Sequence, residues 1–234
     1  MTVPIFLSPA LPSELLTYVL NYHAYPTTLI ICSSRTEFLN SLVQEVRASE
    51  GTGQEDSSRE NDPHALLLSS PLHQVATSRH IRLVYVPTVT HLRAYLSVFS
   101  PNDSRVAAPP TDSSAAVTRH GEAHVILYGL LALHRDTSEW SAQGLGNTTS
   151  AIVDLATRLS WPALAIEPRV RCHPSTPSDG VLREPVPILS GGARRLGLDS
   201  EEGAWTGRTV EVGRVLGRWF RFERGQWDTG NIHA

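Results

Sequence analysis

The C-terminal part of the chain carries its densest group of residues that could contact a negatively charged ligand. Between Trp205 and Arg224 there are five arginines and only two acidic residues, Glu211 and Glu223. The arginines are Arg208, Arg214, Arg218, Arg221 and Arg224. Aromatic residues lie among them, and arginine with aromatic side chains suits phosphate contacts combined with base stacking. The same residue types are enriched in protein–protein interfaces, so a partner protein is the alternative ligand.

The order of the aromatic residues in this cluster favours an interface. Alternation along a strand places Phe220 and Phe222 on one face and Trp219 on the other. An amphipathic hairpin with solvated arginines accounts for the two phenylalanines but leaves Trp219 exposed. A ligand or partner that covers Trp219 removes that difficulty.

A second candidate is the polar loop at residues 134–144, which follows an apolar strand pattern. Sites of α/β proteins lie beyond the carboxyl ends of strands, so Arg135 and Trp140 are candidates for binding nucleic acid or a partner. The favoured alternative is a capped turn whose Trp140 packs on the core. A triad of His134, Asp136 and Ser138 is disfavoured, because neighbouring loop residues rarely form one and no G-x-S-x-G turn is present.

Composition excludes several classes of chemistry. All 20 basic residues are arginine, so no mechanism can use a lysine on a phosphate, a Schiff base or a lysine base. The net charge of −3 argues against electrostatic binding of nucleic acid by the whole surface, so only a local basic patch could bind it. Histidines 64, 73 and 80 match no zinc motif, and Cys32 and Cys172 have no metal-ligand spacing. We expect no metal, no cofactor and a reducing compartment.

Hydrophobic patterning predicts an α/β fold. Apolar runs predict strands at residues 28–32, 81–86, 124–133 and 163–166. Helical spacing predicts helices around residues 38–46, 88–99 and 147–159, and an N-terminal helix up to residue 20. Serine 33 or 34, Asn147 and Ser13 are the expected caps of three of these helices. Repeated strand–helix units favour a parallel sheet covered by helices on both faces.

The last third of the chain changes character. Short strands are predicted at residues 187–190, 193–198, 208–216 and 218–223, with glycines as turn signals, so antiparallel hairpins are expected at the sheet edge. Three polar segments, at about residues 49–63, 100–122 and 168–184, read as flexible insertions in a single domain spanning residues 1–234. No apolar run is long enough for a membrane span and no signal peptide is evident, so no membrane partner is expected.

Parallel strands followed by C-terminal hairpins resemble the layout of RecA-type ATPase domains. The run HVILYGLLALHR at residues 124–135 is similar to the Walker B strand of the recombinase branch, and residues 207–223 resemble its closing hairpin. Two motifs of that family are missing. Residues 32–36 (CSSRT) have neither the glycines nor the lysine of a Walker A loop, and Tyr128 and Gly129 stand where the Walker B aspartate would be.

The resemblance therefore implies a RecA-like domain that is not an enzyme and has no catalytic residue. Similar domains occur in recombinase paralogues of the Shu type. This implies a subunit of a DNA repair and homologous recombination complex, in the nucleus, that pairs with another RecA-like subunit and contacts DNA or the recombinase filament. The alternative is an Elongator-like accessory subunit in tRNA modification, for which the cytoplasm is the alternative location.

Overall fold

A computed structural model describes residues 3–22, 25–51, 71–103, 106–108, 123–169, 180–189 and 208–231. Its strands are β1 (Ile5–Ala10), β2 (Thr27–Ile31), β3 (Ile81–Tyr85), β4 (His124–Tyr128), β5 (Ala163–Pro168), β6 (Pro185–Pro187), β7 (Thr209–Glu211) and β8 (Arg221–Glu223). Its α-helices are α1 (Pro12–Tyr22), α2 (Arg35–Gly51), α3 (Leu72–Ser78), α4 (Val89–Val98), α5 (Leu130–His134), α6 (Ala142–Leu159) and α7 (Val212–Leu216). Short 3₁₀ helices cover Pro101–Asp103, Val181–Arg183 and Gln226–Asn231.

One sheet organises these elements. Its strand order is β3-β2-β4-β5-β1-β8, and all five pairings are parallel. Strands β6 and β7 form a separate antiparallel pair. The predicted α/β architecture is therefore confirmed: a mostly parallel, helix-flanked sheet with an antiparallel pair near the C-terminus.

Alternating strand residues feed two apolar clusters, one on each face of the sheet. Ile30 and Leu127 belong to the first cluster, which also contains the buried residues of α4, α6 and α7. Leu29 and Ile126 belong to the second cluster, together with buried residues of α1 and α2. Strands β2 and β4 are buried on both faces, which is why they read as continuous apolar runs.

Several predicted elements are confirmed together with the residues that begin them. Ser34 and Glu37 form a capping box at the start of α2: the Ser34 amide donates to the Glu37 carboxylate at 2.8 Å, and the Glu37 amide donates to Ser34 Oγ at 3.2 Å. Thr88 caps α4 by accepting the His91 amide at 3.2 Å. Strands β2, β3 and β5 also lie at the predicted places.

The N-terminus differs from its prediction. Residues 5–10 form β1, which is inserted between β5 and β8, and the helix begins only at Pro12. Proline suits a first helical position because it lacks the amide that would be unpaired there. The predicted cap Ser13 lies inside the first turn, and its hydroxyl donates to the buried carboxylate of Glu45.

The predicted strand at residues 124–133 is wrong in its second half. The strand ends at Tyr128, and Gly129 takes a left-handed conformation with φ of 88°, which glycine adopts without steric cost. Helix α5 follows directly. Helix α6 begins at Ala142, earlier than predicted, because Ser141 rather than Asn147 caps it: Ser141 Oγ accepts the Gly144 amide at 3.0 Å.

The C-terminal hairpins are also corrected. The predicted strand at residues 208–216 divides into β7 and α7, and β8 pairs parallel to β1 rather than antiparallel to a neighbour. The predicted strand at 193–198 lies outside the described residues, as does most of each predicted insertion. No helix in the described ranges has the length and apolar character needed to cross a bilayer.

Candidate nucleic-acid interface

The five C-terminal arginines all lie at the surface of the segment that runs from β7 through α7 to β8. We call Arg208, Arg214, Arg218, Arg221 and Arg224 the arginine face; each is exposed. Arg214 lies on α7, and Arg218 follows four residues later, where Gly217 still has helical backbone angles (φ −62°, ψ −9°). That spacing is close to one helical turn and brings the two side chains to the same side of the segment.

Most of these charges lack an ionic partner among the residues that the structure describes. Arg221 pairs with Glu223 at 2.6 Å, but both side chains are largely exposed, so the pair contributes little to stability. The guanidinium groups of the other four arginines form no ion pair or hydrogen bond with a described residue. The face therefore has positive charge available to an external anion.

Small residues fix α7 in place. A Cβ at Gly213 would lie 3.0 Å from the Leu182 carbonyl oxygen, so α7 packs closely on the 3₁₀ helix Val181–Arg183. A Cβ at Gly217 would lie 3.5 Å from Cε2 of Phe222. Buried side chains of α7, Val212, Val215 and Leu216, belong to the first apolar cluster. The arginines thus belong to a segment that packs against the first apolar cluster.

The prediction that Trp219 stays exposed is wrong. Trp219 is half-buried and packs against the first apolar cluster, whereas Phe222 is 40% exposed. Strand alternation fails because β8 starts only at Arg221, and Trp219 lies in a turn where its amide donates to the Leu216 carbonyl at 2.8 Å. The helical spacing of residues 212, 215, 216 and 219 is the sequence signal that would have placed Trp219 correctly.

The second candidate, Arg135 with Trp140, is occupied within the chain. The Arg135 guanidinium donates two hydrogen bonds to the Glu184 carboxylate, at 3.0 and 2.5 Å. It also lies 5.1 Å from the centroid of the Trp140 ring, which is half-buried against the first cluster. These contacts fit the capped-turn alternative: Trp140 packs on the core, and the Thr137 hydroxyl accepts the Glu139 amide at 3.1 Å within the loop.

The carboxyl ends of β4 and β5 are filled by the chain itself. Glu167 is buried and accepts the amides of Leu131 at 2.7 Å and Ala132 at 3.2 Å, at the start of α5. Burial raises the pKa of Glu167 to about 7, and these amides oppose that rise only in part. A Cβ at Gly129 would lie in ordinary van der Waals contact, 3.7 Å, with both Cys32 and Pro168.

Further hydrogen bonds connect the elements at the same end of the sheet, on the face that carries the second apolar cluster. The Tyr128 hydroxyl donates to the Ala10 carbonyl at 3.0 Å. Arg169, directly after β5, donates to Glu14 at 3.2 Å and to Asp228 at 3.3 Å. These bonds join β1, α1 and the C-terminal 3₁₀ helix where an open α/β sheet would offer its ligand crevice.

The buried His134 is also fully engaged. Its Nδ1 donates to the Leu130 carbonyl at 2.8 Å, and its Nε2 lies within hydrogen-bond distance, 2.9 Å, of the Thr148 hydroxyl. Burial lowers the pKa of His134. Within the described ranges, no group of three or more His, Cys, Asp or Glu side chains is placed to hold a metal ion. His64 and Cys172 lie outside those ranges.

Comparison with solved structures finds a distant likeness. No protein-family model matches the chain, and no curated protein matches it. Among solved structures, a DnaB-like replicative helicase, described with its interactions with primase, aligns with a TM-score of 0.36 and 11% identity. The alignment covers 73% of this chain and 39% of the helicase chain. The fold is therefore described by the strand order of this chain alone.

Proposed function

We propose that the chain is a non-catalytic RecA-like subunit of a DNA repair and homologous recombination complex, which pairs with another RecA-like subunit and contacts DNA through the arginine face. The observation that carries the proposal is the set of four exposed arginines without an ionic partner among the described residues. An anionic ligand would supply the missing countercharge.

The strand–turn–helix connections support a non-catalytic role. Leu11 alone joins β1 to α1, and residues 32–34 (CSS) join β2 to α2. A phosphate-binding loop needs glycines, whose backbone amides surround the phosphates, and a lysine that reaches the terminal phosphate. Neither connection contains a glycine or a lysine.

The filled carboxyl end supports the same conclusion. The first amides of α5, which could otherwise face an anion, already donate to the Glu167 carboxylate. A nucleotide phosphate placed there would have to displace a buried carboxyl group and leave it without donors, which is costly in a low-dielectric interior. We therefore expect the purified chain to hydrolyse no nucleotide.

The charge distribution sets how nucleic acid would bind. Because the net charge is −3, attraction must come from the local arginine face and must weaken steeply with salt. Four to five phosphate contacts are the most that the face provides. Such binding would be modest for the isolated chain, and assembly with a second subunit would add to it.

The test measures binding of the full chain to labelled oligonucleotides by fluorescence anisotropy at several salt concentrations. We expect the double substitution Arg214→Ala and Arg218→Ala to reduce affinity by about tenfold or more and to lower the salt slope by roughly 1.4 to 2. The matched control substitutes Arg35 and Arg47 by alanine. These arginines are also exposed and unpaired with described residues, but they lie on α2.

Three outcomes contradict the proposal in different ways. Equal losses in both double variants would mean that the arginine face is not special. Tight binding to tRNA with weak binding to DNA would transfer the proposal to the Elongator-like alternative. Nucleotide hydrolysis by the pure chain would end the non-catalytic assignment. Purification of the native protein with its partners tests the predicted RecA-like companion.

A further inference from the structure

An open cleft of about 180 Å³ lies beside the arginine face. The end of β1, strand β8 and the 3₁₀ helix Val181–Arg183 bound it. Its apolar lining includes Phe222 and Leu182, and its charged lining consists of Glu223 and Arg224. Neither the fold nor the proposed phosphate contacts require this opening, so its lining is free to contact a ligand.

Phe222 is held in place but not covered. Its ring contacts Phe6 edge-to-face, with centroids 5.8 Å apart. On another side Gly217 is close, since a Cβ added there would lie 3.5 Å from Cε2 of Phe222. Even so, the residue is 40% exposed and lines the cleft. A fixed, exposed aromatic ring beside cations is the arrangement that single-strand-binding proteins use as a stacking platform.

The two charged residues that line the cleft, Glu223 and Arg224, differ in whether they have an ionic partner. Glu223 is paired with Arg221, whereas Arg224 has no ionic partner among the described residues. Arg218 follows Gly217, the residue at which an added Cβ would lie 3.5 Å from Cε2 of Phe222. The cleft thus has an aromatic surface with the uncompensated positive charge of Arg224 in its lining, which favours an aromatic group that belongs to a polyanion over an apolar side chain of a partner.

We propose that this cleft binds one unpaired base of single-stranded nucleic acid, which stacks on Phe222 while Arg224 contacts an adjacent phosphate. This inference rests on the proposed function, because it adds a base site to the arginine face. It also adds a specificity: bases inside a duplex are stacked on each other and cannot reach Phe222, so single strands should bind better than duplexes of the same sequence.

The experiment uses the full chain and three labelled probes of equal length: oligothymidylate, a wholly abasic strand with the same phosphates, and a duplex. We expect Phe222→Ala to weaken oligothymidylate binding by about tenfold and to leave abasic-strand binding unchanged. Arg224→Ala should weaken both strands. The matched control is Leu83→Ala, which removes an exposed apolar residue from β3, the opposite edge strand. An oligouridylate arm tells RNA from DNA.

A conservative variant separates stacking from folding. Phe222→Tyr retains the ring and should bind oligothymidylate like the wild type, whereas a structural defect of Phe222→Ala would also lower abasic-strand binding. Equal losses on both strands, or equal wild-type affinity for duplex and single strand, would overturn the base site. If Phe222→Ala binds normally while the Arg214 and Arg218 double variant does not, the base site is wrong and the proposed function survives. If the wild type binds none of the probes, both fail.

Discussion

The carboxyl end of the central strands and the arginine face differ in whether their charged groups have partners within the chain. At the first place, Glu167 has amide donors and Arg169 has two carboxylate partners. At the second, four arginines have no ionic partner among the described residues. The charged groups at the place where α/β folds usually bind ligands therefore have partners within the chain. The charged groups without a described partner lie on the arginine face.

Position in the sheet explains the contrast. Strands β4 and β5 have a neighbour on each side and helices above and below, so any charge at their ends is desolvated and must find a partner within the chain. The four unpaired arginines lie at exposed positions before β7, on α7, in the turn after α7 and after β8, so their side chains keep their hydration without a partner in the chain. Substitutions at the two places should accordingly affect different measurements.

The largest effect on stability is expected from Glu167→Ala. It removes the acceptor of the Leu131 and Ala132 amides and leaves a cavity where α5 begins. We expect a loss of about 3 kcal/mol in the free energy of unfolding at pH 6, measured by urea denaturation. Oligonucleotide affinity of the folded variant should stay at the wild-type level. A parallel loss of affinity would show that the two places are coupled.

The pH dependence of stability tests whether Glu167 is a buried carboxyl group with a raised pKa. Because the folded-state pKa of Glu167, about 7, lies above the unfolded value of 4.5, the folded state binds more protons between these values. Its contribution to stability is present below pH 4.5 and is lost as pH rises through 7, by a total on the order of 3 kcal/mol. Glu167→Gln should remove this decline, so its advantage over the wild type grows from pH 5 to pH 8. Equal slopes for both proteins would contradict a buried carboxyl group with a raised pKa.

The sequence predicted the core better than the edges. Strands β2 and β4 carry uninterrupted apolar runs, and α2 and α4 carry both helical spacing and a capping residue, so local signals agreed with the tertiary outcome. Strand β1 was missed because a segment with prolines at residues 4, 9 and 12 has weak strand propensity. Its place depends on pairing with β5 and β8, which is not a local property.

The candidate site shows the same division. Composition and spacing located the arginine cluster, since charge density is visible in sequence. The aromatic that stays exposed could not be identified without knowing where α7 ends and β8 begins: a strand pattern exposes Trp219, whereas the observed helix and turn cover it and leave Phe222 at the surface. The internal partner of Arg135 was invisible because Glu184 is 49 residues away in the chain.

Trp219→Ala should affect stability and not binding, in contrast to Phe222→Ala. Trp219 packs against the first apolar cluster while remaining half-buried, so we expect a loss of about 2 kcal/mol in unfolding free energy. Oligothymidylate affinity should change by less than about twofold, because the ring is not free to stack on a base. The paired measurement is urea denaturation and anisotropy on both variants. A strong loss of affinity in Trp219→Ala would restore the original prediction that this tryptophan is the ligand-binding aromatic.

The smallest effect is expected at Arg135. Its bidentate pair with Glu184 is well aligned, but the two side chains are 40% and 30% exposed, so water screens the attraction and lowers its value. Contact with the Trp140 ring adds a further small amount. We expect Arg135→Ala to cost about 1 kcal/mol or less, and a double-mutant cycle with Glu184→Ala to assign part of that cost to the pair. Nucleic-acid affinity should not change, because the guanidinium already has its partner. A loss of affinity comparable to that of the Arg214 and Arg218 double variant would mean that the ion pair opens to the ligand. The interface would then extend to this loop.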